Sequence, residues 1–146
     1  MSWKDFFRDW IRRHFPRSKK QVKSRRRNRL EKDVLGNMGE KQAARFLRKR
    51  GYKILEKNVT YDDGELDIVA RHENMLVVIE VKTRRPYHGL HPSLAVDLSK
   101  QRKIKRLAFR FLRQRKLSLP VRFDVVAITW PKNQPPQIEH FIDAFR

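Results

Sequence analysis

The feature that most constrains this chain is Met75-Leu76-Val77-Val78-Ile79, a nearly continuous apolar run that ends in Glu80-Val81-Lys82. A short run of this kind, rich in β-branched residues, suits a strand covered on both faces, since a strand with one wet face would alternate. A doubly covered strand needs layers on either side, so the chain must supply helices or a second sheet. Glu65 to Arg71 reads as the strand that pairs with it, and His72-Glu73-Asn74 has the length and composition of a hairpin connection.

The rest of the chain supplies those layers. Gly39 to Arg50 sets Ala43, Ala44 and Leu47 among good helix formers, with Gly51 as a C-terminal stop. Tyr52 to Val59 alternates as a strand, and Asp62-Asp63-Gly64 is turn chemistry. A second helix is expected from Leu94 to Lys116, with Leu98, Ile104, Leu107, Ala108, Phe111 and Leu112 as its core face. Val121 to Trp130 is a strand, and Gln137 to Phe145 a short strand or turn. The order α-β-β-β-α-β predicts an α/β fold, a mixed sheet flanked by helices.

Residues 1–35 differ from this domain, which is expected over 36–146. They hold 13 Lys/Arg against 4 Asp/Glu. Trp3, Phe6, Phe7, Trp10, Ile11 and Phe15 fall at helical spacing, so a basic amphipathic helix is expected, ended by Pro16. From Arg17 to Arg29 there are eight basic residues and no acid, a composition that favours a solvated, flexible linker. Over the whole chain 36 Lys/Arg face 16 Asp/Glu, for a net charge of +20. Such a surface attracts polyanions: nucleic acid, with DNA the expected form, or an anionic membrane surface met through residues 1–35.

The absence of cysteine excludes a disulfide framework, a thiolate zinc site and a cysteine nucleophile. With no apolar run of about 18 residues and no apolar signal core, the expected compartment is the cytoplasm.

Side chains alternate along a strand, so Glu80 and Lys82 project from one face. If the hairpin pairs as expected, Asp67 lies on the strand next to Glu80. Two carboxylates brought together in a sheet raise each other's pKa unless a cation neutralises them. Oxygen-only ligation suits Mg²⁺ or Mn²⁺ rather than zinc. An ammonium beside that pair could orient a water and offset charge on a phosphate undergoing hydrolysis. Only one acid-x-Lys match occurs in the chain, and it closes the most apolar strand. The other reading is a surface cross-strand ion pair worth about 0.2–1 kcal/mol. Residue types alone leave both standing.

Four stretches carry a resemblance in order and spacing: Gly39-Glu40-x-x-Ala43; Gly51-Tyr52-x-Ile54-Leu55-x-x-Asn58; Gly64-Glu65-Leu66-Asp67-Ile68-Val69-Ala70; and Val78-Ile79-Glu80-Val81-Lys82-Thr83-Arg84. With Arg122-Phe123-Asp124-Val125-Val126 and the closing Ala144-Phe145, the chain from about Leu35 to Arg146 resembles the YraN-like family. That resemblance implies a restriction-endonuclease-like fold, similar to Holliday-junction resolvases. It implies that Asp67, Glu80 and Lys82 are a PD-(D/E)xK triad, that Glu40 adds a carboxylate to the catalytic and metal-binding set, and that Gln101 lies near the site. The N-terminal basic arm and the segment Tyr87 to Pro92 depart from the shared pattern.

Lys100 and Lys103, with Arg102, Lys105 and Arg106, form a basic helix surface suited to phosphates, as are Arg84 and Arg85 after the triad. A solvated face is the bland alternative. The five histidines show no metal spacing and are expected at the surface. Asp124 is open between a partner for a buried cation and a solvent-facing strand end.

The expectation for function is therefore a Mg²⁺- or Mn²⁺-dependent endonuclease-like protein that binds nucleic acid and hydrolyses phosphodiester bonds, structure-selective on junction-like DNA. By analogy with resolvases it would be a homodimer. The alternatives are a catalytically weak nucleic-acid-binding module and a membrane-associated adaptor working through residues 1–35.

Overall fold

A computed structural model describes residues 22–84 and 96–146. The stripe from Trp3 to Phe15, Pro16, Arg85 and the loop bearing His88 and His91 lie outside the described residues. The chain divides into two units, 1–33 and 34–146. The elements, in order, are α1 (Val22–Arg48), β1 (Lys53–Tyr61), β2 (Gly64–His72), β3 (Met75–Arg84), α2 (Leu98–Gln114), β4 (Val121–Thr129) and β5 (Gln137–Phe145).

The five strands form one sheet in the order β1-β2-β3-β4-β5. All neighbours are antiparallel except β3 and β4, which run parallel. A parallel neighbour needs a crossover, and α2 lies within it. The segment Gln137–Phe145, open between strand and turn from sequence, is the edge strand β5.

Two apolar clusters cover the sheet's faces. One joins Ile104, Leu107, Ala108, Phe111 and Leu112 of α2 to Leu76 and Val78 of β3 and to Phe123 and Val125 of β4. The other joins Ala43, Ala44 and Leu47 of α1 to Val77, Ile79, Val126 and Ile128. The apolar run of β3 is thus buried from both sides, as its composition demands.

The chain's local chemistry sets the element ends. At the end of α1, the Tyr52 N–H donates to Leu47 O (3.1 Å) and the Gly51 N–H to Arg48 O (3.1 Å). Gly51 has φ +83. This is the paired-bond stop that glycine permits. Asp97 caps α2 and moves its start from the expected Leu94 to Leu98. The larger difference is at α1, which begins at Val22, so residues 22–29 are helical where a flexible linker is expected. Arg, Lys and Gln are good helix formers, and a dense charge run does not by itself decide the backbone. Among the described residues no helix is long and apolar enough to cross a membrane.

Candidate active site

The β2–β3 ladder runs from His72↔Met75 to Ile68↔Ile79. One residue further along, Asp67 meets β3 through its side chain: Oδ2 accepts the Val81 N–H at 2.8 Å. The alternation of β2 also slips here. Leu66 and Val69 join the α2-side cluster, whereas Ile68 and Ala70 join the other. A strict period of two would not put residues three apart on one side. The slip turns Asp67 towards the end of β3.

On β3, Glu80 and Lys82 share the face of Leu76 and Val78, which α2 covers. Glu80 is buried, with 6% of its surface exposed. Its Oε1 lies 3.2 Å from Lys82 Nζ, and the same oxygen receives Lys100 Nζ from α2. Asp97 sets that approach: its Oδ1 accepts the Lys100 N–H at 2.8 Å, locking the first turn of α2. Gln101 turns back to the chain before the helix, its Nε2 donating to Val96 O at 3.1 Å.

The electrostatics follow from this crowding. Burial, then the neighbouring Glu80 carboxylate, pushes Asp67 up to about 8, against the Val81 N–H and Lys100, which favour its charged form. At neutral pH Asp67 therefore keeps its proton until more positive charge arrives. Burial pulls the Lys82 ammonium below its usual range, while Glu80 opposes that shift. Lys100 is also penalised by burial, but Glu80 and Asp67 outweigh this and hold it above its usual value.

Glu40 approaches from α1. Its carboxyl is raised first by burial, with Glu65 and Glu80 adding repulsion and a side-chain hydrogen bond from Asn58 opposing them. Asn58 has φ 52 and sits between Lys57 and Val59, whose partners Ile68 and Leu66 flank Asp67. Gly39, the residue before Glu40, lets α1 come close. A Cβ there would lie 1.9 Å from Thr83 Oγ1, so a side chain is excluded without movement.

The structure brings Asp67, Glu80 and Lys82 together, with Glu40 near enough to repel both acids. Among the described residues no three acidic or histidine side chains group closely enough to hold a metal ion between them. Asp67 and Glu80 are the available pair. Their oxygens, and the proton that crowding holds on Asp67, fit a hard divalent cation that would take that proton's place and complete its shell with water. Lys103 is exposed and its methylenes lie over Gly64. Arg84 is half-buried, and its carbonyl accepts the Trp130 N–H at 2.9 Å.

Lys100, expected on a phosphate-facing surface, is instead seated on Glu80. Nothing local signals that contact, because it joins two elements across an unpredicted docking. The expectation of surface histidines fails at His140 and His72. Asp124 is fully buried. It takes a two-bond fork from Arg122 (2.9 Å each), His140 Nε2 at 2.8 Å and the Asp143 N–H at 3.0 Å. Arg122 also donates to the Tyr52 hydroxyl at 2.7 Å, and Tyr52 stacks on His72 at 4.0 Å. Asp124 is therefore the partner of a buried cation. Burial raises its carboxyl, but His140 and Arg122 bring it below the usual range.

The model of the uncharacterised protein family UPF0102 matches residues 39–128. The chain belongs to that family. UPF0102 is the YraN family, which is restriction-endonuclease-like, in agreement with the mixed sheet and flanking helices seen here. The match begins at Gly39, where α1 meets Thr83, and ends on β4. A UPF0102 protein of Syntrophotalea carbinolica is 47% identical over 112 residues, covering 76% of this chain and 90% of the relative. One from Geobacter metallireducens is 46% identical over 117 residues (80% and 95%), and one from Rhodococcus opacus 46% over 113 (77% and 96%).

Proposed function

We propose that this UPF0102 protein is a divalent-metal-dependent nuclease acting on nucleic acid, with DNA as the expected substrate. The observation that carries the reading is the meeting of Asp67, Glu80 and Lys82 at the end of a buried strand, where burial and the neighbouring carboxylate hold a proton on Asp67. Asp67 and Glu80 would hold Mg²⁺ or Mn²⁺, with Glu40 reaching it through water. The cation would supply Lewis-acid charge at the scissile phosphate.

The chain's own groups do the rest. Lys82 Nζ, held by Glu80, points a compact ammonium at the place where phosphate charge develops. Its lowered pKa makes the neutral amine, the form that can accept a proton from the attacking water, more accessible than in a surface lysine. The basic residues of α2 bind the backbone without reading sequence.

The test is cleavage of branched, nicked and single-stranded DNA and of RNA with Mg²⁺ or Mn²⁺. Lys82→Ala and Lys82→Arg serve as controls. Both should retain most of the binding and lose about 10²–10³ in rate, because a guanidinium keeps the charge but not the titrating ammonium. Tight binding with no cleavage of any substrate would replace this reading with that of a binding module.

A further inference from the structure

Helix α2 carries a second surface that the carboxylate site does not use. Phe109 is 55% exposed. It lines a groove of about 650 Å³ with Leu112, Leu117 and Leu119, and Arg106 and Arg113 border the same space. Leu112 is buried and the other two leucines half-buried; the groove is open and shallow, with polar and apolar groups about equally represented in its lining and guanidiniums at its border. Its lining contains no acid; the nearest carboxylate shown is Asp63, paired to Arg106 at 2.7 Å. Arg113 is exposed and enters no ion pair among the described residues.

An exposed aromatic ring beside guanidinium groups has the chemistry of a nucleobase platform. Any base offers a π-face to the ring, and its phosphate can meet the arginine. A second copy of this chain fits poorly, since two-fold pairing would bring the same arginines together on a protein of net charge +20.

The placement along α2 gives a distance. Lys100, seated on Glu80, precedes Phe109 by nine residues, about two and a half turns, so Phe109 lies roughly 14 Å further along the axis and on the opposite face of α2.

We infer that the groove at Phe109 takes an unpaired base of the nucleic-acid substrate, on the face of α2 turned away from the carboxylate site. The substrate class is then a duplex with unpaired nucleotides, such as a tail, gap or opened branch. This rests on the nucleic-acid reading above and adds to it the form of the substrate.

The experiment is fluorescence anisotropy at fixed salt with the full chain, using a blunt duplex and the same duplex carrying a single-stranded tail. Wild type should prefer the tailed form. Phe109→Ala should lose about 5- to 150-fold in affinity for the tailed form and little for the blunt one. Phe109→Trp should keep the preference. Phe109→Ala with equal losses on both, or with none, overturns the inference while leaving the nuclease reading in place. So does a dimer in sedimentation, or binding to phosphatidylserine vesicles, that Phe109→Ala abolishes with tail preference intact. If wild type binds neither duplex nor tail, the nucleic-acid reading and this inference fall together.

Discussion

Replacing Gly39 with alanine measures what the close packing of α1 on β3 demands of that position. By helix propensity alone the change should stabilise α1 by about 0.5–1 kcal/mol. The structure predicts the opposite sign. An alanine Cβ would stand 1.9 Å from Thr83 Oγ1, 3.0 Å from Thr83 Cβ and 3.1 Å from its Cγ2. Rotating Thr83 can relieve the first contact but not the one to Cβ, so α1 must also move off the strand. Overpacking of this kind costs about 1–3 kcal/mol, or roughly 4–12 °C in melting temperature for a domain of this size. Thr83 makes the experiment a cycle. Its hydroxyl is buried without a partner, so Thr83→Ala trades an unsatisfied polar group for a lost methyl and should lie within about 1 kcal/mol of wild type. The double variant removes the contacts to Oγ1 and Cγ2 but keeps the one to Cβ, so it should recover part of what Gly39→Ala loses, with a coupling of about 0.5–3 kcal/mol. Thermal and urea unfolding of the four proteins, followed by circular dichroism, give the result. Additive effects, or a Gly39→Ala protein more stable than wild type, would refute the packing argument.

Three further outcomes follow from the charges. Asp124→Asn leaves the Arg122 guanidinium without its buried counter-ion and should cost about 3–5 kcal/mol in urea unfolding; a loss below about 1 kcal/mol would show that the network adds nothing. Asp67, raised to about 8 from 3.8, binds its proton more tightly folded than unfolded, so its contribution is complete at low pH and is lost as pH climbs through that window. Asp67→Asn should therefore gain melting temperature on wild type between pH 5 and pH 8, and a pH-independent difference contradicts this. Lys100→Met removes the ammonium seated on Glu80, a like charge that competes with any cation for that oxygen; relief of a repulsion on the order of 1 kcal/mol should let Mn²⁺ bind about tenfold tighter by calorimetry, and unchanged affinity would refute the competition.

The strands and the core face of α2 were legible because their periods match burial on a pleated or helical surface. Asp67, Glu80 and Lys82 were legible because charged groups closing an apolar strand are out of place in a plain core. Three things were not. The reach of α1 back to Val22 is hidden by a charge run that suits linker and helix equally. The seat of Lys100 on Glu80 depends on how α2 docks, which no local pattern encodes. Asp124, Arg122, Tyr52 and His140 are drawn from β4, β5 and the end of α1, so the group exists only once the sheet is assembled.

The parallel pairing of β3 with β4 bears on the order in which the domain is built. β1, β2 and β3 join through the short turns at Asp62-Asp63 and Glu73-Asn74. Leu76 and Val121, like Arg84 and Thr129, are 45 residues apart in the chain. Closing so long a loop costs more entropy than closing a hairpin, and non-local pairings of this kind slow folding. The hairpin strands thus meet first, bringing Asp67 beside Glu80 while α2 is still undocked. Lys100 reaches them only when the crossover closes. Lys82 stands beside Glu80 on β3 from the start, so the crossover brings the site its second cation rather than its first.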